Sequence, residues 1–158
     1  MMHKCLAYVF VLSVLLSWGC SNGRSPLVNK HAISKGEGAF TLYRLDGDRY
    51  PGEPAPEGAQ LLHGWLVLQE CAITSTATRE KIFRALDDGI DGYGGGVPVD
   101  CFRPRHAIRI DWMGVTVDYL ICFQCRNYYI YEGDKMVSGG NTTSSPKKTF
   151  DRILDECN

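Results

Sequence analysis

Ala107-Ile108-Arg109-Ile110-Asp111-Trp112-Met113-Gly114-Val115-Thr116-Val117-Asp118-Tyr119-Leu120-Ile121-Cys122-Phe123 is the stretch that decides the fold. Ile108, Ile110 and Trp112 alternate with Arg109 and Asp111, the period of a strand with one apolar face. Met113-Gly114 suits a two-residue hairpin turn. Beyond it Val115, Val117, Tyr119, Ile121 and Phe123 share a face opposite Thr116, Asp118, Leu120 and Cys122. Two long strands joined by a tight turn predict the centre of an antiparallel sheet.

Reading outward, Ala39 to Leu45 predicts a strand with Phe40, Leu42 and Arg44 on one side. Asp46-Gly47-Asp48 punctuates it, and the prolines and glycines between Tyr50 and Ala59 predict an irregular loop. Leu61 to Ile73 reads as one further strand. Thr76 or Thr78 is placed to cap a helix carrying Ile82, Phe83, Leu86 and Ile90 on one stripe, with Gly89 as its end. The run from Gly92 to Gly96 lacks the Lys-Ser/Thr of a phosphate loop and reads as a turn. Toward the C-terminus, Asn127 to Tyr131 predicts a strand turned back by Gly133-Asp134 through Met136-Val137. Ser145 and Pro146 then open a helix with Phe150, Ile153, Leu154 and Cys157 at i, i+3, i+4 and i+7. This order predicts an α+β fold: two layers, a mostly antiparallel sheet, and two helices packed on one face.

The first twenty residues read as an address. His3 and Lys4 precede an apolar stretch from Cys5 to Trp18, too short to span a bilayer comfortably, and Leu16-Ser17-Trp18-Gly19-Cys20 follows. That segment resembles the lipobox of bacterial lipoproteins, although Leu16 stands four places before the cysteine and Trp18 two. The resemblance implies cleavage after Gly19 and acylation of Cys20. An ordinary signal peptide, an uncleaved anchor and a misassigned start codon are the competing readings. Ser21, in place of Asp, implies onward sorting to the outer membrane, facing the periplasm, where two membranes exist. Residues 1–19 are therefore expected to be a signal peptide, 20–38 a lipidated cysteine and flexible tether, and 39–158 a single domain.

The chain has 158 residues, 44% apolar and 22% charged, enough after the leader for one domain with a proper core but not two. A formal charge of −1 leaves no basic face for nucleic acid, so that partner class is set aside. Asn141-Thr142-Thr143 fits a glycosylation sequon, a pattern too short to carry weight. Cys71, Cys101, Cys122, Cys125 and Cys157 remain after Cys5 leaves and Cys20 is acylated. In an exported chain disulfides are the default, and an odd count leaves one thiol over.

One constellation concentrates chemistry: Cys101-Phe102-Arg103-Pro104-Arg105-His106-Ala107-Ile108-Arg109, then Asp118 and Cys122-Phe123-Gln124-Cys125. Cys101, Cys122, Cys125 and His106 supply the donor types of a tetrahedral zinc site, but C-x-x-C between β-forming runs argues against the needed tight turn. Thiol redox chemistry would want Cys122 at a helix N-terminus, and no helical pattern is present. A hydrolase using Cys101 and His106 needs the chain to fold back at Pro104. The structural reading has disulfides clamping Cys101 to the long strand while Arg103, Arg105 and Arg109 pair with Asp100, Asp111 and Asp118. The same three arginines are candidates for binding a small anion, because guanidinium matches carboxylate and phosphate.

Cys-Phe-x-Pro-Arg-His-x-Ile-Arg, matched by Cys101 to Arg109, and Val-Asp-x-x-Ile-Cys-Phe-x-Cys, matched by Val117 to Cys125, resemble motifs of an uncharacterised bacterial family of exported proteins and lipoproteins. The likeness implies export and one fold across the mature chain, and supplies no mechanism. The expectation is thus a cell-envelope lipoprotein attached to the membrane, acting as a non-enzymatic binding or structural module without a cofactor. Its partner would be a protein or a small anionic ligand. A zinc-binding or thiol-dependent envelope enzyme is the alternative.

Overall fold

The computed structural model describes residues 30–95 and 101–157. The signal segment, Cys20, Gly96 and Asp100 lie outside the described residues. The elements are α1 (Lys30–Ser34), β1 (Ala39–Leu45), β2 (Leu61–Leu62), β3 (Trp65–Ala72), α2 (Thr76–Asp91), β4 (His106–Trp112), β5 (Val115–Cys122), β6 (Asn127–Glu132), β7 (Lys135–Asn141) and α3 (Lys147–Asp155). The strands form one seven-stranded sheet in the order β2-β3-β1-β4-β5-β6-β7, antiparallel at every pairing. This is a mixed α+β fold dominated by its sheet.

The central hairpin is as its alternation predicts. Trp112 pairs with Val115, and Met113 and Gly114 take φ of 50° and 80°, both positive as a type I′ turn requires. Met113 is 82% exposed, so the left-handed backbone there costs no apolar packing inside the protein. The two sides of the strands sort into two clusters. Phe40, Leu42, Ile108, Ile110, Val117, Tyr119 and Ile121 pack with Ile82, Phe83 and Leu86 of α2 and Phe150, Ile153 and Leu154 of α3. Tyr43, Leu45, Ala107 and Leu120 form the second cluster with Leu62 and Trp65 of the β2–β3 hairpin, while Phe102 and Tyr131 pack against it.

Several boundaries differ from the sequence reading. Leu61 to Ile73 is not one strand: His63 and Gly64 at φ 48° and 83° make a second tight turn, and Leu62 pairs with Trp65. Ser75 caps α2, its Oγ accepting from the Thr78 N–H at 3.3 Å, and the helix runs through Gly89 to Asp91 with Gly92 as C-cap. Gly89 is where the segment 142–146 docks: its carbonyl accepts from the Thr143 N–H at 2.8 Å, and a Cβ there would meet Pro146 and Thr142. α3 starts one residue later than expected, at Lys147, with Pro146 as N-cap and no side-chain capping bond.

Residues 30–38, read from composition as tether, hold α1, and Ile33 is wholly buried in the core. A five-residue helix is too short to show a period in sequence. It is held from outside itself: the buried Arg79 guanidinium donates to the carbonyls of Ile33 at 3.2 Å, Glu37 at 3.1 Å, Gly38 at 3.1 Å and Ile73 at 2.8 Å. One cation thereby satisfies carbonyls that a terminating helix and a strand entry leave over.

Gly89→Ala tests the docking. Alanine in a helix interior ordinarily gains about 0.5–1 kcal/mol over glycine, but overpacking against Pro146 and Thr142 should outweigh this and cost about 1–3 kcal/mol. Gly94→Ala, with nothing within 4 Å of the added carbon, should be near neutral. Urea unfolding midpoints measure both; a stabilised Gly89→Ala would contradict the docking.

Candidate functional site

β4 and β5 place Arg109 directly opposite Asp118. Asp118 is 1% exposed, and its carboxylate takes three donors: Arg109 Nε to Oδ1 at 2.8 Å, Arg109 Nη2 to Oδ2 at 2.8 Å, and His63 Nε2 to Oδ2 at 2.7 Å. An ionised carboxylate only accepts, so the His63 nitrogen facing it carries the proton. The positive φ of the His63-Gly64 turn aims the ring over the sheet, where it stacks on Tyr131 with centroids 3.9 Å apart. Asp118 raises the basicity of the Arg109 guanidinium through hydrogen bonding and charge. Burial, reinforced by Glu70, pushes the Tyr43 phenol up, and burial with Tyr129 does the same to Tyr131.

The sequence-predicted residues among those described divide into four places. Arg109 pairs with Asp118 as expected. Arg105 makes a two-pronged contact with Asp48, at 2.7 and 3.1 Å, and Arg103 donates to the Tyr50 hydroxyl with Asp48 at 4.0 Å, so neither pairs with Asp111. Asp111 instead accepts from the Thr116 hydroxyl. Arg103 and Arg105 thus converge on the loop after β1, and Asp48 partly neutralises them. Arg105 holds the Asp48 carboxyl below the usual carboxylate range.

His106 is 3% exposed and lies among Phe123 and Phe150, its Nε2 2.8 Å from Asp151 of α3 and its Nδ1 without a hydrogen-bond partner. Burial lowers its pKa despite the Asp151 carboxylate. Burial alone would raise Asp151, but hydrogen bonds from Lys147 and His106 outweigh it and hold that carboxyl low.

The cysteines form two disulfides, Cys71–Cys157 across 86 residues and Cys101–Cys125 across 24, and Cys122 is a buried thiol. Cys101 and Cys125 are therefore bonded to each other, and His106 faces Asp151, so the four residues considered for zinc do not converge as free donors. No group of three potential metal ligands occurs among the described residues. The C-x-x-C itself does make a tight turn, contrary to its expected extended form: residues 123–126 join β5 to β6, Arg126 takes φ 57°, and the Cys125 N–H donates to Cys122 Sγ at 3.1 Å.

His63 escaped the sequence reading. An X-Gly pair interrupting an apolar run is the signal that could have found it, since such pairs supply the positive φ of a two-residue hairpin. In comparison with known proteins, the chain matches no family model, no curated protein and no solved structure.

Two tests follow from these networks. Asp118→Asn keeps shape but leaves Arg109 and His63 without their anion, and should cost about 1–3 kcal/mol in urea unfolding; a loss no larger than that of the exposed-turn variant Asp134→Asn, within about 0.5 kcal/mol, would contradict the clamp. The folded His106 pKa lies below its ordinary value, so the unfolded chain binds the proton first. The stability from neutral His106 is complete above about pH 6.5 and is lost as pH falls through the lower folded value. His106→Gln should lose less thermal stability than the wild type between about pH 7 and pH 5, and identical losses would refute this.

Proposed function

We propose that this protein is a bacterial cell-envelope lipoprotein, exported and held to the membrane through acylated Cys20, whose domain is a non-enzymatic module that binds a protein or small anionic ligand. The observation that carries the location is the pair of disulfides in a small domain behind an export-like leader. Such bonds persist outside the reducing cytosol, and the 86-residue closure would be lost there. Among the described residues no helix is long and apolar enough to cross a membrane, which leaves the leader or its lipid as the means of attachment in this reading.

A binding role rests on the Asp118 face. A buried ion pair is weak evidence for stability, because apolar residues of the same size do as well or better. What it does supply is a fixed guanidinium and a fixed imidazole beside Tyr131, Tyr129 and Phe102, all partly exposed. Aromatic rings with arginine suit a protein partner, while Arg103 and Arg105 suit a carboxylate or phosphate able to displace Asp48. The layering supports the same assignment of faces: α2 and α3 contribute to one cluster and not to the other, so the two-layer arrangement with both helices on one face leaves the Asp118 side for a partner.

The metal- or thiol-dependent reading draws on the turn at Cys122–Cys125, whose N–H to sulfur bond is the local geometry that a thiolate metal site uses. Metal analysis of purified protein separates the two, since stoichiometric zinc would replace the binding module with a metalloprotein. For the anchor, mass spectrometry of the N-terminal peptide should find an acylated Cys20, and Cys20→Ala should release the protein from the membrane fraction. An unmodified Met1 or Met2 at the mature terminus would overturn the assignment.

A further inference from the structure

Three of the five domain cysteines meet at one place, and only two of them are bonded. Cys122 ends β5, Cys125 stands three residues on in the turn, and Cys101 is tied to Cys125 from the segment leading into β4. Cys122 is 1% exposed and Cys125 3%, while Cys101 is partly open. The Cys125 N–H donates to Cys122 Sγ, so the free sulfur is held inside the same turn as the bonded one. The free sulfur thus stands 3.1 Å from the backbone nitrogen of a disulfide-bonded cysteine, within the same short turn, the kind of neighbourhood that exchange needs.

We propose that Cys101, Cys122 and Cys125 form an exchange centre in which the Cys101–Cys125 bond is traded for Cys122–Cys125, releasing Cys101. The Cys122 thiol gives up its proton and its sulfur attacks Cys125 Sγ. The Cys122–Cys125 bond forms, the Cys101–Cys125 bond breaks, and Cys101 leaves as a thiolate that takes a proton. The number of disulfides is unchanged, and no outside oxidant or reductant is consumed.

The reason to expect a consequence lies in what Cys101 tethers. The next residue, Phe102, packs on Tyr129 at 4.4 Å and on Trp65 at 6.1 Å between ring centroids. Arg103 and Arg105 then grip Tyr50 and Asp48 in the loop after β1. The Asn127 side chain donates to the Cys101 carbonyl at 2.8 Å, a second fastening at the same point. Freeing Cys101 therefore removes the one covalent fastening described for the segment 101–105, which packs on the second cluster and grips the loop that leads to His63. Exchange would make access to the Asp118 face depend on which cysteine pair is closed. The chemistry stands without the binding role, and only this last consequence rests on it.

The test is thiol mapping on the full-length oxidised protein. Samples are held at about pH 8 with a trace of glutathione to open exchange, quenched with acid, denatured, labelled with N-ethylmaleimide and digested with trypsin. Cleavage after Arg109 and Arg126 puts Cys122 and Cys125 on one peptide. Exchange predicts that roughly a tenth or more of the label appears on Cys101, accompanied by an internally closed Cys122–Cys125 peptide. Among the five domain cysteines, label confined to Cys122 at all times would overturn the proposal. Cys101→Ala supplies the second arm: with oxidised glutathione it should close Cys122–Cys125, yielding two reduced glutathiones per bond, and two persistent thiols there would equally overturn it. Exchange that proceeds while the affinity for inorganic phosphate stays unchanged would count against the consequence for the Asp118 face alone.

Discussion

A single carboxylate, Asp118, sets the terms for one whole face of the sheet. It is buried, and it sits among Tyr43, Leu120 and Ala107, where an unpaired charge would cost several kcal/mol. Its three donors come from two separated parts of the chain: Arg109 on the neighbouring strand and His63 on a hairpin tip 55 residues earlier. The clamp therefore fixes the register of β4 on β5 and at the same time draws the β2–β3 turn over the sheet. Tyr131 on β6 then has a flat partner in His63, and Trp65 meets Phe102. The stacking of His63 on Tyr131 thus accompanies the pairing of that one negative charge.

The other face depends on ordinary apolar burial closed by covalent and polar fastenings. Cys71 on β3 and Cys157 just after α3 are 86 residues apart, and their bond fixes the C-terminal helix to the sheet. Gln69, two residues before Cys71, donates to the carbonyls of Leu154 at 2.7 Å and Cys157 at 3.1 Å, reinforcing the end of α3 at the same place. His106 and Asp151 add a polar contact between β4 and α3 within an otherwise aromatic setting. Closing so long a loop restricts the unfolded chain strongly, which suits a domain of this size outside the cell.

The long alternating runs were legible because strand period and tight-turn chemistry agree: Ala107–Phe123 states its hairpin, and Phe150, Ile153 and Leu154 state their helix. What was not legible depends on distant partners. Gly89 looks like a helix end until Pro146 and Thr142 are seen to need the space. Ile33 looks like tether until Arg79 gathers the carbonyls behind it. The Arg109–Asp118 pair could be read from strand register, but Asp48 as partner of Arg105 could not, since the loop after β1 has no period to place it. Of the cysteines, a bridge from Cys101 toward the long strand was readable, although its partner Cys125 stands in the turn after β5, and the Cys71–Cys157 closure was not, because sequence spacing carries no information about an 86-residue contact.

Buried Asp118 and partly exposed Arg109 act as one unit, and a double-mutant cycle measures that unit directly. Asp118→Leu alone should lose about 1–3 kcal/mol by leaving Arg109 and His63 without their acceptor, and adding Arg109→Met should recover part of the loss, giving a coupling energy above about 0.5 kcal/mol. Losses that simply add would contradict the claim that this carboxylate organises the face.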